Sequence, residues 1–339
     1  MSKILICTGI YPPRIGGPAQ YAKEVKEELE RRGNIVKVLT YKLEYKLPSL
    51  IRHGLFFLRT LCVLRGVDFI LALDTFSVGW PATIAATLLR KKIIVRTGGD
   101  FLWESYVERT GDLVLFKNFY KEKLPNLNLK ERMIFRITKW TLQNMNAVIF
   151  STEWQRKIFE QAYELNSEKC FVVENFYGEK IDQHRERKKV FVAGTRPLKW
   201  KNLSLLTHAF IQAQNIDQSL VLDTSNAPYS EFLEKISSSY AVILTSLGDI
   251  SPNMILDAIR TNTPFILTRE NGLTPRIGDI GVYVDPEDVV DIQNKILFLA
   301  DESNYNVQRE KIKAFNFTHS WSDITDEILA IVKRSHESY

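Results

Sequence analysis

Ser246 to Gly272 reads SLGDISPNMILDAIRTNTPFILTRENG, and two carboxylates in it, Asp249 and Asp257, bracket a helix start. Ser251 is a good N-cap residue and Pro252 suits the first helical position, so the spacing predicts a helix over Asn253–Thr261 with Asn262 near its end. Asp249 then lies in the loop before the helix, and Asp257 near the end of its second turn. The open N–H groups of the first turn, at the positive end of the helix dipole, suit a phosphate or a polyhydroxyl ligand. An ordinary capped helix with an acid near its start shows the same spacing, so this stretch needs support from elsewhere in the chain.

Support comes first from Val190-Phe191-Val192-Ala193, which reads as a short buried strand. It runs into the basic loop Gly194-Thr195-Arg196-Pro197-Leu198-Lys199-Trp200-Lys201-Asn202 and then a helical pattern at Leu203, Leu206, Ala209 and Phe210. In a doubly wound sheet such loops lie at the carboxyl ends of strands, where ligands bind. Arg196, with its planar fork, and Lys201, as a point charge, suit a diphosphate; a solvated basic face is the plainer reading of the same loop. A third signal is at the amino terminus. Lys3–Gly9 reads as a strand, followed by a loop that ends in Gly16-Gly17-Pro18 and a helix with its apolar stripe at Tyr21, Ala22, Val25 and Leu29. Gly33 stops that helix, and Asn34–Thr40 is the next strand. The Gly16-Gly17 pair lets a ligand approach the backbone but lacks the GxGxxG spacing of a dinucleotide site.

In this order the three segments resemble glycosyltransferase family 4, the retaining group 1 type of GT-B enzymes, over nearly the whole chain. The resemblance rests on YPPRIGGPAQYAKEVKEELERRG at the start, on Gly194, Arg196 and Lys201 before a Leu-rich helix ending Ala209-Phe210, and on Asp249 and Asp257 followed by Thr263-Pro264 and Gly272. It implies an α/β chain of GT-B architecture: two Rossmann-like domains facing across a cleft, with the C-terminal helix returning to the first. The boundaries expected are an acceptor domain over 1–180, with 318–339 packing back on it, and a donor domain over 189–317. Glu179–Lys189, polar and charged, is the expected linker.

The resemblance also implies residue roles. Asp257 would bind the donor ribose and Asp249 the transferred sugar, while Arg196 and Lys201 would hold the diphosphate as charge grows on it. Gly194, Gly16 and Gly17 would allow close approach of the donor, and the backbone from Ile250 through Ser251 and Pro252 to Asn253 would touch the sugar. Three departures from the family pattern stand out. Both acids are Asp where the family most often has Glu, one methylene shorter. No His follows the fourth strand of the first domain; Arg96, Asp100 and Glu104 are the polar residues there, in a pattern similar to a subgroup with an Arg, a Gly-Asp and a Trp-Glu. Asp100 is expected either to orient acceptor or sugar, or to be a turn residue. After Leu220–Asp223 the chain passes directly to the next helix, without the extra strand unit usual in the family.

With 339 residues, 45% hydrophobic, the chain is long enough for two domains, and its net charge of +5 is no argument for nucleic acid. Cys7, Cys62 and Cys170 are odd in number and widely spaced, which suggests a reducing compartment and no structural zinc. The chain opens on a strand with no apolar leader pattern, so a cytoplasmic location is expected, at the inner face of the membrane if the basic amphipathic stretches Lys42–Arg65 and Lys117–Trp140 touch anionic lipid; core helices with solvated faces is the plainer account of both. Strands are predicted near Ile4, Val36, Ile70, Ile94, Val148 and Val172, then near Phe191, Val221, Val242, Phe265 and Val282. A closing helix is predicted over Ser320–Arg334. DxD, HExxH, phosphate-loop and GxSxG motifs do not occur, and the five histidines are scattered, His208 reading as a packing residue.

These readings converge on a glycosyltransferase that moves a sugar from a nucleoside diphosphate sugar to an acceptor hydroxyl, with retention and with neither metal nor cofactor. The acceptor is a glycan, a lipid-linked or a small molecule. The alternatives are a catalytically weak nucleotide-sugar-binding partner subunit and a GT-B-like sugar epimerase.

Overall fold

The computed structural model describes residues 1–337 apart from 15, 182–187, 195 and 226; part of the expected linker lies outside the described residues. The chain divides into two compact units, one formed by Met1–Leu102, Asn126–Phe176 and His319–Tyr339, the other by Trp103–Pro125 and Tyr177–Thr318.

All six strands predicted for the first unit form: β1 (Lys3–Thr8), β2 (Ile35–Thr40), β3 (Phe69–Ala72), β4 (Lys92–Arg96), β5 (Ala147–Phe150) and β6 (Cys170–Val172). They make one parallel sheet in the order β2-β1-β3-β4-β5-β6. Central strands such as β3 and β5 are buried at every residue, as strands covered on both faces must be, whereas the edge strand β2 is buried only at Val36 and Leu39. Helix Gly17–Arg31 follows β1, with its stripe of Tyr21, Ala22, Val25 and Leu29 on the sheet, and the chain turns at Gly33 with φ 79°. The closing helix, Trp321–Glu337, lies against it; Ile324, Ile328, Ile331 and Val332 join the same core, and Arg32 pairs with Asp326.

In the second unit β7 (Val190–Val192), β8 (Val221–Asp223), β9 (Ala241–Leu244), β10 (Phe265–Thr268) and β11 (Val282–Val284) form a parallel sheet in the order β11-β10-β9-β7-β8. From β7 the chain runs to β8 on one side and to β9, β10 and β11 on the other. The strand order therefore reverses between β7 and β9, and in such sheets a crevice opens there at the carboxyl ends. Helix Tyr229–Ser238 follows β8 with no extra strand unit, as the sequence predicts.

Helix Asn253–Arg260 differs from the expectation at its start. Pro252, not Ser251, holds the N-cap position, extended at φ −69°, ψ 114° and with no side-chain cap. Asn262 ends the segment in the left-handed region at φ 53°. His208 is exposed and contacts Gln212 on its own helix, so it is not the packing residue expected.

The completely buried Ile328 ties the closing helix to the unit-one core. Ile328→Ala is expected to lower stability by about 2–5 kcal/mol, measured by urea unfolding; a loss under about half a kcal/mol would show that this helix is not structurally required.

Candidate functional site

The two loops on either side of the β7/β9 switch are bound to each other by three contacts, with a fourth to the loop after β11. Asn202 Nδ2 donates to the Thr245 carbonyl at 3.2 Å and to the Pro286 carbonyl at 2.6 Å, joining the basic loop to the ends of β9 and β11. The Leu247 amide donates to the Trp200 carbonyl at 2.9 Å. Lys201 Nζ meets Asp249 Oδ2 at 2.6 Å and lies 4.2 Å from the centre of the Trp200 ring. Ser246 Oγ donates to the same Asp249 oxygen at 3.0 Å. On the other side, the Asp249 amide donates to the Glu270 carbonyl at 2.9 Å, and the Gly272 amide returns to the carbonyls of Asp249 and Ile250.

Lys201 and Asp249 are thus brought together directly, as sequence reasoning grouped them. Arg196 sits in the same loop, exposed, with no ion-pair partner among the described residues. Gly194 is required on packing grounds: a Cβ there would stand 2.4 Å from Phe232 Cε2 and 2.8 Å from the Ser225 carbonyl oxygen. Ile250 and Ser251 are half-buried, Pro252 is buried and Asn253 is exposed. With no side chain capping the helix, the first-turn amides at Asn253 and Met254 are oriented outward from the helix end.

Asp257 keeps different company. It lies within helix Asn253–Arg260, buried, and its Oδ1 accepts from the Tyr229 hydroxyl at 3.0 Å. Burial pushes its carboxyl up to about 6, against the Tyr229 hydrogen bond and the charge of Arg260, which pull it down. Tyr229 is itself pushed up to about 12 by burial and by Asp257, so it stays a donor. Its ring is 55% exposed at the first position of its helix. Tyr229 was not singled out from the sequence; it lies 28 residues from its partner and carries no motif.

Sequence reasoning also missed Trp103–Pro125, which belongs to the second unit. Trp103 packs at 5.4 Å from Trp200 and 5.1 Å from Phe116. The Phe116 amide donates to the Leu247 carbonyl at 3.0 Å, and Lys117 pairs with the buried Glu270. Glu108 accepts from the Lys199 amide at 2.6 Å. These helices therefore buttress both loops of the switch.

Gly16, Gly17 and Asp100 belong to the first unit. Gly16 is the N-cap of its helix at φ 157°, and a Cβ there would stand 2.9 Å from Ile10 Cδ1. Asp100, 3% exposed, lines a small, partly open space of about 10 Å³ with Thr75, Phe76, Gly99 and Thr138, about the room of one water. A larger cavity of about 170 Å³ in the second unit, lined by Tyr177, Lys180, Leu256, Ile259 and Phe317, contains none of the switch-loop residues.

No protein-family model matches the chain, and no curated protein matches its sequence. Solved structures do match in fold. Anabaena Alr3699/HepE in complex with UDP is 14% identical with a TM-score of 0.68, covering 98% of this chain and 100% of that one. Sucrose-phosphate synthase from Thermosynechococcus elongatus is 13% identical at a TM-score of 0.72, with 100% of both chains covered. A UDP-forming α,α-trehalose-phosphate synthase from Burkholderia xenovorans is 11% identical at a TM-score of 0.68, covering 99% and 100%. The chain has the fold of GT-B glycosyltransferases, built from two Rossmann-like units with parallel sheets.

Because the folded state binds the Asp257 proton more tightly than the unfolded state does, stability falls as pH rises from 3.8 to about 6. Asp257→Asn, which cannot ionise, is expected to exceed the wild type by about 1–3 kcal/mol at pH 7 and to lose that advantage below pH 3.8. Denaturant melts at the two pH values test this; an advantage of the same size at both would contradict a buried, ionised carboxylate.

Proposed function

We propose that this chain is a retaining, metal-independent glycosyltransferase that takes a sugar from a UDP-sugar to an acceptor hydroxyl. The observation that carries the reading is the Lys201–Asp249 pair, 2.6 Å apart at the sheet's switch point and followed by an uncapped helix start. An ammonium has three donors. One holds Asp249, and two are left for diphosphate oxygens, with Arg196 free in the same loop to take a bidentate grip. Asp249, fixed by Lys201 and Ser246, has its other oxygen to accept from a sugar hydroxyl.

In the proposed reaction the bond from the sugar C1 to the diphosphate oxygen breaks while the acceptor oxygen bonds to C1 on the same face. The acceptor proton passes to the departing diphosphate. Arg196 and Lys201 meet the charge that grows there, the kind of preorganised contact whose removal typically costs roughly 10²–10³-fold in rate. Asp257 takes the ribose hydroxyls, with Tyr229 holding its carboxylate in place. Uridine as the base, and glucose among the sugars to try first, are suggested by HepE, which was crystallised with UDP and with UDP-glucose.

The acceptor side is assigned to the first unit, at the surface of a membrane. Helix Ser49–Val63 turns Arg52 and Arg59 inward onto Glu44 and its neighbours and buries His53, so fewer of its basic residues face solvent than the sequence suggests. It leaves Leu50, Ile51 and Leu58 exposed beside Lys46 and Arg65. Helix Leu129–Gln143 similarly exposes Leu129, Met133 and Trp140 among Lys130, Arg132 and Arg136. No helix among the described residues is long and apolar enough to cross a membrane, so the contact would be peripheral.

UDP at about 100 times its dissociation constant should stabilise the wild type by about 2.7 kcal/mol, read as a rise in melting temperature. The rise should be absent in Asp257→Ala and small with GDP, ADP or dTDP; equal stabilisation of wild type and variant would refute the donor site. Arg196→Ala should keep its fold and lose transfer by roughly 10²–10³-fold. A sugar product formed with no acceptor present would instead favour epimerisation. Flotation with anionic vesicles is expected to recover the wild type and not Leu50→Ser/Ile51→Ser/Leu58→Ser; no recovery of either would end the membrane reading.

A further inference from the structure

We infer that Arg96 is the core of an anion-binding site in the first unit, one that takes a carboxylate or phosphate group carried by a ligand. Arg96 closes β4, at the carboxyl edge of the sheet where ligands of parallel α/β folds bind. It is 9% exposed, and all its partners are neutral. One terminal nitrogen donates to Ser151 Oγ at 2.9 Å and to Asn175 Oδ1, and the guanidinium lies 4.1 Å over the ring of Tyr21. Among the described residues its Nε–H has no acceptor, and the adjacent Tyr21 hydroxyl, also buried, meets the guanidinium but has no acceptor for its own proton.

The other buried charges described in this unit are matched. Glu28 pairs with Arg31 and Arg32, Glu44 with Arg59, and Asp74 accepts from the amides of Val78 and Gly79. Glu327 of the closing helix sits 3.4 Å from His319. A guanidinium does not lose its proton in a protein, so Arg96 is a buried cation with no ion-pair partner among the described residues. A purely structural role at this place would be met at lower cost by an uncharged side chain of similar length.

The surroundings have the make-up of a binding site. Tyr21 comes from the helix after β1, Ser151 from the residue after β5, and Asn175 from the loop after β6, so the ends of β4, β5 and β6 and one helix converge on one guanidinium. An anion placed there would accept from Nε–H and from the Tyr21 hydroxyl together, satisfying both orphaned donors and supplying the absent charge. If the first unit takes the acceptor, as proposed above, the acceptor carries an anionic group; the binding claim itself does not depend on that reading.

The test uses the full chain with inorganic phosphate and acetate as probes, at constant ionic strength set with chloride. Phosphate or acetate is expected to raise the wild-type melting temperature in a saturable way, and Arg96→Gln is expected to weaken that binding at least ten-fold. No saturable shift with either probe, or the same affinity in Arg96→Gln, overturns the proposal. Should Arg96→Gln not fold, Arg96→Lys keeps the charge and loses the fork, and must weaken the probe at least three-fold; unchanged affinity there overturns it equally. UDP stabilisation, measured in parallel, should be the same in wild type and variant, so that a failed donor site and a failed anion site are told apart. Arg96-dependent flotation with phosphatidate vesicles would assign the anion to a lipid headgroup, and a phosphate shift without flotation to a soluble ligand.

Discussion

Asn202 sits in the left-handed region at φ 59°, ψ 31°, with its buried amide donating to two carbonyls that belong to two other strand ends. A side chain able to tolerate that backbone and also carry two donors is nearly confined to Asn. This contact fixes the loop after β7 against those after β9 and β11, and the pairing of Lys201 with Asp249 follows from it. Lys201, the preceding residue, is delivered onto Asp249, and Trp200 offers its carbonyl to Leu247. The helices of Trp103–Pro125 close over the result, where Phe116 packs so tightly that position 248 has room only for Gly: a Cβ there would come within 2.4 Å of Phe116 Cβ.

Both units carry charges that burial disfavours. Asp257 is held in helix Asn253–Arg260 although its ionised form is penalised there, and Arg96 is held at the end of β4 with neutral partners only. Folding would gain from a neutral residue at either place. Each is a charge taken out of water with incomplete compensation, which costs stability. Asp257 is made tolerable by the Tyr229 hydroxyl, and Arg96 by the face of Tyr21. In each case an aromatic side chain from a neighbouring helix contributes, joined at Asp257 by the charge of Arg260.

The fold was nearly all legible. Most of the eleven strands are short apolar runs bounded by turn residues, as central strands buried on both faces require, and the helix stripes at Tyr21–Leu29 and Ile324–Val332 follow the helical period. The grouping of Lys201 with Asp249 was legible as well, because each residue has a local signature, a basic loop after a strand or an acid before a helix. Tyr229, Asn202 and Glu108 had none. Each acts through a partner 28 or more residues away, and nothing in its immediate neighbours in the chain marks it. Ser251 failed as the N-cap because Pro252 took that position in an extended conformation, a difference of one residue that local propensity cannot resolve.

What the sequence by itself determined was therefore everything governed by periodicity and turn chemistry: two parallel α/β units, their strand positions, and the loops that carry the charged residues. The tertiary structure decided what depends on contacts between distant segments. It placed Trp103–Pro125 against the loops after β7 and β9, turned Arg52 and Arg59 inward onto Glu44, paired Asp257 with Tyr229, and left Arg96 buried among neutral partners, with no carboxylate on it among the described residues. Burial and partner choice are properties of the packed chain, since a side chain's neighbours in space are fixed only once the sheets and helices have met.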